Sequence, residues 1–436
     1  MLLSSRFGFR VEDCTEGFSN RAKYPSYRTG FFGFAASQTL REEDNLNAGL
    51  LDQYLGLQWI RDNIEFFGGD PYDVTILGED VGWTNVQLQL TAYGGDAEPL
   101  FRRAIAQSGP TPAGSALTSG QSESHTIQLT ESLGCSSSTG DAAAEIACLR
   151  SLSLERINAA ALNFSLAFSS LGGIGTFRPT APSSFIPDAP SKLLATGRFR
   201  KDVDILVGWN ENDGSIFAPE ATNSTEYFLA VMHSLFPGLS PSNKLALPSL
   251  YPESDFWDYP KEGVDRNFFR ASRAARDAFF TCPSLRLVQA SALYAPDRRV
   301  FTFALNETVF AVGHALYNRS FVGIDHFSDM PYVFDYVNTA AYAHLASQAD
   351  YDMASRMSGS WAAFAHFGQP TVPGLSDAEL VARNLTFPGW AAGEGNIRVL
   401  GGAGDGMMSI YGTYDESLEE RCGFWGKDEV LAQTWN

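Results

Sequence analysis

The stretch Val74-Thr75-Ile76-Leu77-Gly78-Glu79-Asp80-Val81-Gly82 constrains the fold of this chain more than any other. Its first four residues are apolar or β-branched and predict a buried strand. The residues after it, to about Thr91, predict a helix. Glycines on both sides of the join allow the strained backbone of a sharp strand-to-helix turn. Such a turn is a nucleophile elbow, which pushes its central side chain into the open. Here that side chain is the carboxylate of Asp80.

Other segments place the elbow in a larger pattern. Residues 26–34, SYRTGFFGF, read as a strand followed by a turn. Residues 47–67 predict an amphipathic helix with Leu51, Leu55 and Trp59, then Ile60 and Ile64, at i,i+4 spacing. Gly68-Gly69-Asp70-Pro71 stops it. Residues 102–107, 204–209 and 299–305 are further strands, and 397–400 is a candidate edge strand. Helical patterns separate these strands, which predicts an α/β fold with a mostly parallel central sheet. The stretches 111–200 and 215–295 read as helical insertions over the carboxyl ends of the strands. No linker, repeat or long low-complexity run splits the chain, so residues 1–436 are expected to form a single domain.

Composition narrows the partners. With 44% hydrophobic residues and 13% aromatics, 32 of them Phe, the chain can fill a substantial core. A net charge of −19 repels phosphate backbones, which argues against nucleic acid. No apolar run approaches the roughly 20 residues of a membrane span. The start, MLLSSRFGFR, is too short in apolar residues for a signal peptide. Five sequons, at Asn163, Asn223, Asn306, Asn318 and Asn384, nonetheless suggest secretion. Of five Cys, Cys135 and Cys148 bracket a Ser/Gly-rich loop that a disulfide could close. Cys282 and Cys422 could tie the last helix back, which leaves Cys14 over; five buried thiols is the alternative. No metal-ligand spacing such as Cys-x-x-Cys occurs, and no cofactor is called for.

The segment NAGLLDQYLGLQWIRDNIEFFGGDPYDVTILGEDVG, residues 47–82, resembles the type-B carboxylesterase/lipase family, cholinesterases included, with the flavour of its fungal esterases and lipases. The likeness continues through LQLTAYGGDAEPLFRRAIAQSGP and resumes at GWNENDGSIF (208–217), FTCPSLR (280–286), GIDHFSDMPYVF (323–334) and RCGFW (421–425). It covers nearly the whole chain from residue 26, and its first block is very specific. The resemblance implies an α/β-hydrolase fold, and Asp80 then stands where the family has the Ser of Gly-x-Ser-x-Gly. It puts the triad acid at Asp213, where the family usually has Glu, and the triad base at His326. It makes the Val81 N–H an oxyanion donor and Glu79 a pocket-lining residue. It also implies the disulfides Cys135–Cys148 and Cys282–Cys422. Cys14 matches a family Cys whose usual partner lies upstream.

Two departures accompany Asp80. The family builds most of its oxyanion hole from a His-Gly-Gly loop, and none of the six His here is followed by Gly-Gly. The fold is therefore expected to be truncated at its N-terminus, unless residues upstream of this start supply the loop. Trp83 stands where the family has a small residue and is expected to crowd the pocket. His314, His344 and His366 sit in helical contexts and read as packing or surface residues.

The chemistry of Asp80 leaves several readings open. A carboxylate that attacks an ester gives a mixed anhydride, which lies uphill and reverts. Attack on a saturated carbon gives a stable ester instead, which His326 with Asp213 could hydrolyse with water. Two carboxylates around one imidazole also favour the imidazolium, a poor base. The expectation is a carboxylic-ester hydrolase, impaired or redirected by Asp80, that acts if active on a small apolar ester-like molecule. The alternatives are a catalytically silent binding protein, or a non-hydrolytic or Asp-nucleophile enzyme of secondary metabolism.

Overall fold

The computed structural model describes residues 26–109, 116–136, 141–168, 175–371, 395–410 and 414–434. Cys14 and Asn384 lie outside them. Strands β1 (Thr75–Glu79), β2 (Arg103–Gln107), β3 (Asp204–Asn210), β4 (Val300–Leu305), β5 (Asn396–Leu400) and β6 (Gly406–Ser409) form one sheet in that order. The first five run parallel, and β6 pairs antiparallel with β5.

The central strands β2, β3 and β4 are buried on both faces. Along β3, Ile205, Val207 and Trp209 join one core cluster while Leu206 joins another. Along β4, Val300 and Ala304 go to the first, and Phe301, Phe303 and Leu305 to the second. This is the period-two alternation of a strand with apolar layers above and below. Helices α1 (Ala48–Asn63), α2 (Val81–Leu90), α4 (Cys282–Tyr294), α5 (Gln348–Phe367) and α6 (Leu418–Trp425) contribute to those layers, while α3 (Arg266–Arg276) belongs to a separate core cluster. Helix α2 packs on β1 and β2, and α4 on β3 and β4. Helix α5 brings Met353, Ala354, Met357, Trp361 and Phe364 to the opposite face, a stripe at helical spacing. A capping box between Ser347 and Asp350 starts α5, and Gly368, with φ 68°, ends it.

Several local expectations need correction. Residues Gly30–Phe34 form a short helix, not a strand and turn. Helix α1 lies where its period predicts, but only part of the expected stripe faces inward: Ile64, just past its end, is buried and Leu51 is half-buried against a core cluster. Leu55 and Trp59 are 63% and 48% exposed, while Gly49, Leu50, Gln53 and Leu57 are buried. The reason is a close approach at Gly49, where a Cβ would stand 2.3 Å from the Arg28 carbonyl oxygen. Only that face can come so near its neighbours. Strand β5 is not an edge, because β6 covers it. Not all of 215–295 lies over the strand ends either, since α4 is a layer of the sheet. His344 is an exposed turn residue, not a helical one.

Candidate active site

Strand β1 ends at Glu79 and α2 begins at Val81, so Asp80 alone makes the turn. Its backbone sits at φ 54° and ψ −118°. A residue other than glycine pays about 1–3 kcal/mol for such a conformation. The sheet over-determines it. The Asp80 N–H donates to the Gln107 carbonyl at 3.0 Å. The Asp80 carbonyl lies against Gly109, where a Cβ would stand 2.7 Å from its oxygen. The side chain emerges 43% exposed.

Two more segments converge on it. Asp213 follows the end of β3 and is fully buried; its Oδ2 accepts the Asn210 N–H at 2.7 Å. Its Oδ1 lies 2.9 Å from Nδ1 of His326. The other ring nitrogen, Nε2, stands 3.5 Å from Oδ1 of Asp80 and 3.4 Å from Oε1 of Glu79. Asp80, His326 and Asp213 are thus brought together, and Glu79 joins them. The rings of Phe280 and Phe327 lie with centroids 5.1 Å and 4.4 Å from the imidazole. Phe280 comes from a π-helical turn, Asp277–Thr281, between α3 and α4. Val81 is exposed, and its N–H is one of the first-turn donors that an α-helix leaves without an internal partner. Trp83 is fully buried among Leu57, Ile76 and Val86 in the core beneath the elbow.

A second tier lies behind the imidazole. Asp329 is fully buried, accepts from Gln107 Nε2, and accepts from Asn210 Nδ2 at 3.3 Å. Trp361 Nε1 fixes Gln107 by donating to its Oε1 at 2.9 Å. Sequence reasoning missed this tier. The one available signal was that Gln107 and Asp329 fall inside the family-like blocks, beside residues singled out for other reasons.

The charges compete. Burial pushes Glu79 well above the ordinary carboxylate range; His326 opposes this, and Asp329, Asp80 and Asp213 reinforce it. Burial and the nearby Asp213 raise Asp329 to about 6, against the hydrogen bonds from Gln107 and Asn210. Burial by itself would strip the proton from His326, but the contacts with Asp213 and Asp80 outweigh it, and the imidazole holds its proton well above 6.5. The charge of Glu79 also contributes to that rise, whereas burial keeps Glu79 protonated. The two cannot both act in full. Asp213 and Asp80 touch both ring nitrogens, so the imidazolium stands with Glu79 neutral. Among the described residues, no group of three or more His, Cys, Asp or Glu is placed to hold a metal.

The disulfides Cys135–Cys148 and Cys282–Cys422 are formed, with Cα–Cα separations of 5.5 Å and 5.0 Å. His314 pairs with Asp325 at 3.3 Å, and His366 ends α5. No described helix is long and apolar enough to cross a membrane.

The model of the carboxylesterase family matches residues 24–386. The chain belongs to the carboxylesterase family. It is 32% identical to a secreted lipase of Arthroderma benhamiae over 93% of this chain and 71% of that protein. It is 31% identical to an inactive carboxylesterase-like protein of Byssochlamys spectabilis over 92% of this chain and 69% of that one. The crystal structure of Aspergillus niger EstA superposes with a TM-score of 0.75 at 25% identity, covering 94% of this chain and 74% of that one. The parallel sheet with an elbow after β1 is therefore an α/β-hydrolase fold, and the family to which the chain belongs is one of carboxylic-ester hydrolases.

Proposed function

We propose that this carboxylesterase-family protein binds a small apolar ester-like molecule at the Asp80–His326–Asp213 site but does not hydrolyse esters through an acyl-enzyme. One observation carries the reading: both nitrogens of His326 face carboxylates, Asp213 at 2.9 Å and Asp80 at 3.5 Å. Acyl transfer at such a site needs a neutral imidazole to take a hydroxyl proton and, later, to hand it on. Here no hydroxyl occupies the elbow, and the imidazole keeps its own proton. Attack by the Asp80 carboxylate on an acyl carbon gives a mixed anhydride that reverts faster than it hydrolyses. The relative named an inactive carboxylesterase-like protein supports the same reading. Two disulfides, the secreted lipase relative and exposed sequons at Asn163, Asn223 and Asn318 support secretion as a glycoprotein.

Hydrolysis of p-nitrophenyl acetate by the purified protein tests this. The rate is expected to match that of a His326→Ala control. Turnover well above the control shows that the site works as an esterase.

A further inference from the structure

We propose that Phe327 is a specificity-determining residue of the Asp80–His326–Asp213 site, and that it selects an ester whose apolar part is an aromatic ring. The proposal rests on the preceding reading, because it names the class of the small apolar ester-like molecule held there.

The backbone of Phe327 is strained, with φ at 70°. Positive φ suits glycine, is tolerated by Asn and Asp, and is an outlier for a bulky side chain. Among the described residues, the other non-glycine positions with positive φ are Asp, Asn or Ser, apart from Tyr93. The Tyr93 ring packs against a core cluster, with its centroid 5.2 Å from that of Phe185 and 5.8 Å from that of Tyr54. Phe327 is 47% exposed, so packing does not account for its ring. Its neighbours hold the turn without that side chain. The Ile324 N–H donates to Asn212 Oδ1 at 3.0 Å, and the Asp325 carbonyl accepts from Asn210 Nδ2 at 3.3 Å. His326 is tied to Asp213 at 2.9 Å. Ser328 is fully buried and donates to Thr308 Oγ1 at 2.9 Å, and Asp329 accepts from Gln107 and Asn210. A glycine at 327 would meet all of these constraints without strain. A bulky residue held against its conformational preference points to a use for the side chain.

The position of the ring shows what that use is. Its centroid lies 4.4 Å from that of the His326 imidazole, and the two planes are tilted by 59°. Phe280 lies 5.1 Å from the imidazole with a tilt of 41°. Within the site, Glu79, Asp213, Phe280 and His326 are buried, whereas Phe327 and the Asp80 side chain reach solvent. A molecule that approaches the imidazole therefore meets the Phe327 ring. Burial of apolar area is non-directional, so a leucine would serve an alkyl group as well as a phenylalanine does. An aromatic ring adds a directional attraction to a second aromatic ring. Such pairs prefer tilted or offset arrangements and are worth about two- to tenfold in affinity beyond the area they bury. An aromatic ester extends the tilted series Phe280, His326, Phe327 by one more ring.

The test titrates benzyl acetate and cyclohexylmethyl acetate, which are close in shape, into the protein and follows the imidazole resonances of His326 by nuclear magnetic resonance. The two esters differ in intrinsic hydrophobicity, so the quantity read is the ratio of their affinities, compared between wild type and variants as in a double-mutant cycle. The aryl-over-alkyl ratio is expected to fall about two- to tenfold in Phe327→Leu, which keeps apolar bulk, and in Phe327→Gly, which the backbone accepts without strain. Phe327→Tyr, which keeps the ring, is expected to retain the wild-type ratio. A ratio that stays at the wild-type value in Phe327→Leu or in Phe327→Gly overturns the inference and leaves the small-ester site standing. A wild-type protein whose His326 resonances move with neither ester overturns both.

Discussion

Asp80 shows how much one side chain changes a site whose other parts are in place. In this 436-residue protein, Asp80→Ser restores a hydroxyl next to His326 and removes one of the carboxylates that hold its proton. It does not supply oxyanion donors, each worth about 3–4 kcal/mol. The chain has no His-Gly-Gly, which leaves Val81 as the donor the elbow itself provides. Such elements act as a unit, so kcat/KM for a short-chain p-nitrophenyl ester is expected to rise less than about tenfold. A rise of several orders of magnitude would show that donors come from elsewhere in the fold. Asp329 supplies a second residue-scale test. Its carboxyl is raised from 3.8 to about 6, so the native state favours its neutral form. The stability this contributes is complete below pH 3.8 and is lost as pH rises through about 6. At roughly 1.4 kcal/mol per pH unit the difference is about 3 kcal/mol. Asp329→Asn mimics the neutral acid, and urea unfolding should show it losing up to about 3 kcal/mol less stability than the wild type between pH 4 and pH 8. Parallel curves for the two proteins would remove Asp329 from the account.

At the scale of elements, the elbow is held by the strand beside it. Gly109, two residues beyond β2, lies under the Asp80 carbonyl, where a Cβ would stand 2.7 Å from the oxygen and 3.1 Å from the Trp83 Cβ. Neither neighbour can yield: one is backbone, and the other is fixed in the core. Gly109→Ala is expected to cost about 1–3 kcal/mol in urea unfolding and to shift the His326 resonance, because the elbow moves with its carbonyl. An unchanged His326 signal would mean that β2 absorbs the strain instead. Helix α1 makes a related point. Its period was legible in the sequence, but the choice of buried face was not. Leu51, Leu55 and Trp59 make the more apolar stripe, yet the face that carries Gly49 is the one that can approach Arg28 and Phe34.

Across the whole molecule, the two disulfides differ in what they close. Cys282–Cys422 spans 140 residues and ties α6 to α4, while Cys135–Cys148 spans 13. Loop-closure entropy gives about 5 kcal/mol for the longer and about 3 for the shorter. Removing both Cys of the long pair by Ser substitution should therefore destabilise by about 2 kcal/mol more than removing both of the short pair. Denaturant midpoints of the two double variants check this, and equal losses would contradict the entropic account. The long bridge sits in a buried ionic network in which Arg276 and Arg421 both reach Asp277 and Asp415, so α6 is anchored twice.

The sequence by itself determined the strands of the parallel sheet and the kind of side chain at the elbow. Apolar, β-branched runs marked β1 to β5 and the glycine-flanked turn marked Asp80, because these are local properties; Asp213 and His326 were marked by the resemblance to the carboxylesterase family. Only the tertiary structure decided how these residues meet. That Nε2 lies between Asp80 and Glu79, that Asp329 loads the site from behind through Gln107 and Asn210, and that Trp83 goes into the core all depend on segments far apart in the chain. So does the protonation of His326. Burial opposes the proton and contacts with Asp213 and Asp80 favour it, and each of these exists only once distant strands have been packed side by side.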